Sequence, residues 1–449
     1  MRFLPLARAL PHVLFCAVAG ALLASSPAAA RTLLVKPDGT GAYPNIRAAV
    51  IAAVPGDTVL LTDGVFRGTG NRDIEFYGKT ITLLSQSGDP ARCAIDNERA
   101  WGHRVLFLHQ EEGAATLIEG ISVRGGWMDE TQFPFGHGAG AMVWGSQATF
   151  RRCVFENNYA ATGAGAHVFE GQARFEDCVF RDNEAYLAGG GVEIESCDKV
   201  FFTRCHFWGN RAGGGGGMGL SQSDAGVADC TFAGNAALYL GGGLAAYRGT
   251  AYLRRSILWN NCADQGYDLW LNFGGAADVT CSCMSWDGIY GRQYATFQDE
   301  GIWDDPLFCG PVDCQAAPTT DGDYRLDANS PCLPGQSICG ELVGGLGQGC
   351  GVSALDSRSG RTVERLALAV ENPVRGRISA TIETDAPGSV FLSLADVSGR
   401  ILRRFEATGS AGVGPRSFSA PLGDVSAGWY LLVAEQDGAR SVRPIVIVR

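Results

Sequence analysis

Glu193 and Glu195 are the two carboxylates in this chain best spaced for proton chemistry. They lie in the alternating segment Val192-Glu-Ile-Glu195, and on a strand residues i and i+2 share one face at about 6.5–7 Å. Hydrolysis of a glycosidic bond uses two carboxyl groups roughly 5–10 Å apart, one giving a proton and the other acting as base or nucleophile. His167 aligns with Glu193 one repeat earlier and adds a third proton carrier. Trp144, Phe169 and Tyr247 align with Glu195 in other repeats, and their ring faces suit the flat faces of sugars. Two outward rows result: Met142, His167, Glu193, Gly219, Ala245, and beside it Trp144, Phe169, Glu195, Ser221, Tyr247. The candidate catalytic residues are Glu193, Glu195 and His167. The candidate ligand-binding residues are Trp144, Phe169, Tyr247 and Met142. The plain alternative is a solvated face carrying ordinary strand aromatics.

The alignment rests on five copies of one pattern. Phe150-x-x-Cys153-x-Phe155-x-x-Asn158 returns at Phe175, Cys178, Phe180, Asn183 and at Phe202, Cys205, Phe207, Asn210. Val227, Cys230, Phe232, Asn235 follow, then Leu253, Ser256, Leu258, Asn261. The five asparagines are 25, 27, 25 and 26 residues apart, with a glycine run ending at Gly140, Gly165, Gly191, Gly217 and Gly243 between them. A fixed period of this size marks stacked units, none able to bury its apolar face alone. Each period alternates apolar and polar residues, and none holds the roughly 10–12 residues of 3.6-period pattern that a helix needs. One period is therefore one coil of a parallel β-helix, paired with the next at about 4.8 Å.

Stacking predicts columns. Cys153, Cys178, Cys205 and Cys230 form one inside the coil, as buried thiols rather than bridges, although coil spacing also permits a disulfide. Phe155, Phe180, Phe207 and Phe232 form another. The asparagines are expected at a corner in the left-handed region, their amides bonded coil to coil.

The Phe-x-x-Asn motif with Gly138 to Ala141 and Gly163 to Ala166 resembles the repeat of polymorphic outer-membrane proteins and related right-handed parallel β-helix proteins, over roughly 117–261. The resemblance implies the fold and leaves activity open, since such folds carry enzymes, adhesins and stalks alike. Val35-Lys-Pro-Asp-Gly-Thr-Gly41 followed by Asn45 to Val54 reads as a turn and a short helix. Asn45 is its N-cap, and Ile46, Ala49, Val50 and Ala53 form its apolar face. This opening is similar to the N-terminal cap of pectin methylesterases and pectate-lyase-like β-helices. The esterase family's paired Asp and Gln segments are not matched. Lys199 follows Asp198 without the cluster of acids that a lyase would use, so the hydrolase and lyase readings rest on the glutamates alone.

Both ends carry further signals. Residues 1–30, with Arg2, Arg8, an apolar run from Val13 to Ala24 and Ala28-Ala-Ala30, read as a secretory signal peptide. The chain is thus expected to be secreted or attached to the outer cell surface. No later stretch of about 20 apolar residues follows, so no transmembrane span is expected. The whole chain has a net charge of −11 and only three lysines, Lys36, Lys79 and Lys199, which argues against nucleic acid as a partner. Residues 262–356 are rich in Gly and Pro and hold Cys281, Cys283, Cys309, Cys314, Cys332, Cys339 and Cys350, which favour disulfides. Zinc is the rival at Cys281-x-Cys283, but no His follows His206. No metal and no cofactor are expected.

A composition break places a linker at 357–365. Beyond it 366–449 shows short alternating strands at Leu366–Val370, Ile378–Thr384, Val390–Ala395, Ile401–Phe405, Tyr430–Ala434 and Val442–Val448, a β-sandwich pattern. Glu371-Asn-Pro373, Asp396-Val-Ser-Gly-Arg400, Ala427-Gly-Trp-Tyr430, Arg443 and Val446-Ile-Val-Arg449 resemble the type A sorting domain of the type IX secretion system. That resemblance implies an export address that contacts the export machinery. A carbohydrate-binding or spacer sandwich is the alternative. The fold expected is all-β: residues 31–356 form a right-handed parallel β-helix with a helical N-terminal cap and a Cys-rich C-terminal cap, followed by the small sandwich. The function expected is binding of extracellular polysaccharide or adhesion. The alternatives are a polysaccharide-degrading enzyme using Glu193 and Glu195, and a stalk or protein-binding adhesin with no sugar site.

Overall fold

The computed structural model describes residues 29–128, 136–299, 301–350, 366–370, 374–384, 390–396, 401–407, 414–422, 425–436 and 439–448. Residues 1–28 of the expected signal peptide 1–30, the expected linker 357–365 and, within the expected sorting motifs, Glu371-Asn-Pro373, 397–400 and Arg449 lie outside the described residues.

The repeats form a right-handed parallel β-solenoid. In chain order one coil contributes Gln147–Arg151 to sheet 1, Val154–Glu156 to sheet 2, Tyr159–Thr162 to sheet 3 and Ala166–Phe169 to sheet 4. The four sheets hold 11, 9, 4 and 9 strands, so sheet 3 is a local addition to an otherwise three-sided prism. Every pairing within them is parallel and in coil order, which is why equivalent residues stack.

The expected columns form. Phe155, Phe180, Phe207 and Phe232 are fully buried, with successive ring centroids 4.7, 4.8 and 4.3 Å apart and nearly parallel planes. Phe150, Phe175 and Phe202 make a second stack beside them. Cys153, Cys178, Cys205 and Cys230 are buried free thiols. Their column continues as Ser256 and Ser282, whose hydroxyls accept the N–H groups of Cys230 and Ser256.

The asparagine corner needs one correction. The left-handed residue is the one before each asparagine: Asn157, Asp182, Gly209, Gly234 and Asn260 have φ between 53° and 64°. The asparagines themselves turn inward and are buried, and the Nδ2 of each donates to the Oδ1 of the next, from Asn158 to Asn261, at 2.9–3.0 Å. Asp268 ends the ladder, accepting from Asn261 Nδ2 at 2.8 Å. Its second oxygen is buried without a hydrogen-bond partner, and burial pushes its carboxyl up to about 7. The last glycine of each run lies against this ladder: a Cβ on Gly191 would sit 2.5 Å from the Gly217 carbonyl oxygen.

Helix α1, Ile46–Ala52, caps the first coil as the capping signal implies. Asn45 Oδ1 accepts from Ala48 N, and Ile46, Ala49, Val50 and Ala53 are buried. The Cys-rich region departs from a simple end cap, because it folds back along the outside of sheet 2. Thr319 N donates to Gly209 O, Gly344 N to Arg255 O, and Gly345 N to the Thr231 hydroxyl. Disulfides Cys262–Cys314, Cys281–Cys339 and Cys309–Cys350 staple it there. Cys281 is thus spent in a bridge, while Cys283 and Cys332 are buried thiols.

In the C-terminal unit the six expected strands form, with ends shifted by zero to three residues. Two further strands form, the two-residue Val374–Arg375 and Gly414–Pro421, the latter paired with Arg377–Thr384. Ala395, Leu431 and Val433 join the solenoid's apolar core near Trp286 and Trp303. Arg443 and Ser441 both bond the Asp304 carboxylate. The sandwich therefore covers the last coil and does not hang from the linker.

Candidate functional site

Sheet 4 carries the candidate residues, and its pairing reproduces both expected rows. Met142, His167, Glu193, Gly219 and Ala245 stand in register, as do Trp144, Phe169, Glu195, Ser221 and Tyr247. The strand Leu269–Asn272 extends them by Trp270 and Asn272, and Tyr290 follows Trp270. Alternate residues such as Val192 and Ile194 fill the core.

The first row is not a solvent surface. Met142 is 1 % exposed, His167 0 % and Glu193 3 %. The cause is sheet 3. After each of its strands the chain doubles back through a left-handed glycine, and this hook closes over the first outward residue of the following sheet 4 strand. A Cβ on Gly163 would lie 2.7 Å from His167 Cβ, and one on Gly189 2.7 Å from Glu193 Cβ. Met142, His167 and Glu193 thus point outward as expected but sit in a crease between two sheets, and the expected contact with solvent fails for all three.

The crease is polar. Glu193 lies over the next coil's Gly219, where a Cβ would be 1.9 Å from Glu193 Oε2. Ser221 Oγ donates to Glu193 Oε1 at 2.8 Å, while Oε2 is buried with no hydrogen-bond partner. Burial pushes this carboxyl up to about 8, only partly offset by the Ser221 bond, with the nearby Glu195 charge adding to the rise. One coil earlier His167 Nδ1 lies 3.2 Å from His137 Nδ1 and 3.1 Å from Thr162 Oγ1, which also bonds His137. Burial lowers both imidazoles, His137 to about 4. His167 Nε2 faces Glu195 Oε2 at 3.5 Å, and this imidazole holds Glu195 below the usual carboxylate range. Carboxylate, imidazole and hydroxyl thus stand in the order of a nucleophile-activating relay. Thr162, however, shares its hydroxyl with His137 inside the crease and is no free nucleophile.

The second row meets solvent. Trp144, Phe169, Glu195 and Ser221 are half-buried and Tyr247 is exposed. The rings of Trp144 and Phe169 meet edge-on at 6.1 Å. At the other end Tyr247 meets the exposed Phe273 at 5.5 Å, which leads through the buried first-row Trp270 to Tyr290 at 6.2 Å each, with Arg248 Cζ 5.2 Å from the Tyr247 ring. Phe273 is 64 % exposed and has a left-handed φ of 51°, a conformation bulky residues seldom adopt. The row therefore has rings at both ends and Glu195 with Ser221 between them. Sequence reasoning missed Phe273, Tyr290, Asn272, Arg248 and His137. The glycine run and the asparagine motif are both absent after Asn261, so the coil bearing Phe273 could not be aligned.

Among the described residues, Cys262, Asp313 and Cys314 form the one group close enough to hold a metal, and its two cysteines are bonded to each other. The family model described as right handed beta helix region matches residues 109–284. That stretch includes every candidate residue, so the comparison agrees with the fold around the site. No curated protein matches the chain.

Proposed function

We propose that this is an exported β-helix protein of the cell surface or the medium that binds extracellular polysaccharide along the second row of sheet 4. The observation carrying the reading is the register of Trp144, Phe169, Glu195, Ser221, Tyr247 and Asn272, one residue per coil. It gives ring faces at both ends of a straight track and hydrogen-bonding groups between them, at steps of about 4.8 Å. Residues 1–30 supply the export signal in this reading, and 366–449 serve as a sorting domain of the type IX kind. The pectate-lyase-like likeness extends to the helical cap only.

One observation favours an enzyme as the second reading. Glu193 is held protonated near neutral pH while Glu195 is ionised, the division of labour a glycosidase needs. The burial of Glu193 weighs against it, since an acid under the glycine hook cannot touch a glycosidic oxygen. Affinity electrophoresis of residues 31–449 against a polysaccharide panel, with assay of reducing and unsaturated ends, separates the readings. Binding predicts retention without product, reduced roughly thirtyfold by Trp144→Ala with Tyr247→Ala at about 1 kcal/mol per ring. Product release abolished by Glu195→Gln would establish the enzyme instead. Neither signal from a folded sample would leave a stalk or protein adhesin.

A further inference from the structure

Sheet 3 has a second-order pattern that the repeat alone does not require. Its strands are Tyr159–Thr162, Glu184–Ala188, Arg211–Gly214 and Ala236–Leu240, with 4, 5, 4 and 5 residues. The next coil returns to four, since Ala236 and Leu240 face Cys262 and Gln265. The strand ends stay in register nonetheless: Glu184, Arg211 and Ala236 align, as do Ala188, Gly214 and Leu240. The fifth residue must therefore bulge outward on alternate coils. The irregular asparagine spacing of 25, 27, 25 and 26 is its trace, since both long periods contain a five-residue strand.

Each bulge presents a tyrosine beside a leucine. Tyr186, Leu187, Leu238 and Tyr239 are 57, 56, 49 and 62 % exposed. Ala212 and Gly213, on the coil between, are buried and form the floor. A Cβ on Gly213 would meet the Leu187 carbonyl oxygen at 2.5 Å, so the floor stays bare. Two apolar ridges thus flank a glycine trough, with their tyrosines about 10 Å apart along the solenoid axis, two coils at about 4.8 Å each. A concentrated apolar patch on an exposed sheet needs a reason.

We propose that these ridges, Tyr186–Leu187 and Leu238–Tyr239, form a second glycan platform for an extended, uncharged polysaccharide lying along the axis. The proposal shares its ligand class with the function proposed above and rests on that reading, but it uses a different face. Three features choose this occupant. Four half-exposed side chains offer a few hundred Å², well short of the about 800 Å² per partner of a stable protein interface. Glu184 and Arg211 lie side by side in register at one edge of the patch and the exposed Asp264 stands one coil beyond the second ridge, so the patch carries no net positive charge to attract a polyanion. Tyrosine pairs a flat apolar face with a hydroxyl edge, which suits the alternating CH and OH faces of a sugar chain. The ridge spacing is close to a disaccharide step of an extended β-linked chain.

The experiment uses residues 31–449 as wild type, Tyr186→Ala with Tyr239→Ala, and Trp144→Ala with Tyr247→Ala. Each is run in affinity gels containing xylan, mannan and β-glucan, and in gels containing polygalacturonate and alginate. Tyrosine nitration with and without glycan, mapped by mass spectrometry, reports protection at each ring. The expected result is retention by a neutral glycan, weakened at least tenfold in the Tyr186/Tyr239 variant, with both tyrosines protected from nitration in the wild type. Because all four ridge side chains are exposed, the variant should keep its circular dichroism and melting profile. Unchanged retention in that variant, with loss in the Trp144/Tyr247 variant, overturns this proposal and leaves the sheet 4 reading standing. The reverse pattern removes the sheet 4 reading alone. Retention confined to anionic gels overturns the proposal, as does self-association lost on Tyr186→Ala with Tyr239→Ala. No retention by the wild type on any glycan overturns both.

Discussion

His167 and Phe169 stand two residues apart on one strand, and both side chains point away from the solenoid axis. His167 is sealed from water, whereas Phe169 is half-exposed. The same contrast separates Glu193 from Glu195 one coil later. Strand alternation fixes the direction of a side chain, but exposure depends on what lies beyond it. Here sheet 3 and its glycine hook occupy that space for one row and stop short of the other. The buried row holds groups whose ionisation is strongly shifted, while the exposed row holds rings and a carboxylate near solvent. Chemistry and access have been sorted onto neighbouring rows.

The largest test of this contrast is pH. Glu193 in the crease is raised to about 8 and Asp268 at the ladder's end to about 7, both by burial. A carboxyl raised on folding stabilises fully below its unfolded value, near 4, and that contribution is lost as pH rises through the folded value. Resistance to urea should therefore fall between about pH 4.5 and 8, by up to about 5 kcal/mol for Glu193. Glu193→Gln should abolish the slope between about pH 7 and 8 and roughly halve it below pH 7, where Asp268 still contributes, and Asp268→Asn should remove the other half below pH 7. An unchanged slope in the double variant would refute the burial assignment.

Next is Gly219→Ala. The added Cβ would lie 1.9 Å from Glu193 Oε2, forcing the carboxyl off Ser221 in a packed crease. A loss of about 2–4 kcal/mol is expected, read as a shift in denaturation midpoint. In a Glu193→Ala background most of that loss should disappear, because the obstructing atoms are gone. Equal losses in both backgrounds would mean that the clash lies elsewhere. The matching change on the exposed row, Trp144→Ala with Tyr247→Ala, should cost no more than about 1 kcal/mol while weakening glycan retention.

How far the molecule can be read in advance follows from the same contrast. The cysteine, phenylalanine and asparagine columns are legible because one-coil periodicity forces like residues to stack, and Asn45 with its apolar face announces α1 locally. Glu193 lying under Gly189 is not legible: it depends on how sharply sheet 3 folds against sheet 4, which no repeat position encodes. Nor is the return of Thr319 to Gly209 or the meeting of His137 with His167, each joining a repeat residue to a position the periodic pattern does not align. Asp268 is hidden for a related reason, standing where the next asparagine belongs but seven residues after Asn261. The ridge tyrosines did leave a mark, in the uneven asparagine spacing, but spacing alone does not say which face bulges.

The smallest effect expected is the most local, because it asks whether the two rows communicate. Glu195 is the one residue of the exposed row whose carboxylate reaches into the crease, facing His167 Nε2 at 3.5 Å. Its negative charge favours the protonated form of both imidazoles, opposing the burial that lowers them. Glu195→Gln should therefore move His137 further down from about 4 in a histidine NMR titration. Stability at pH 7 should change by less than about 1 kcal/mol, because the imidazoles are already neutral there and the carboxylate is partly solvated. The sign is the informative part. An unmoved His137 would place Glu195 outside the crease's electrostatic reach and leave the Ser221–Glu193 hydrogen bond as the link between the rows. A downward move with unchanged glycan retention would make Glu195 a link between rows and not a ligand contact.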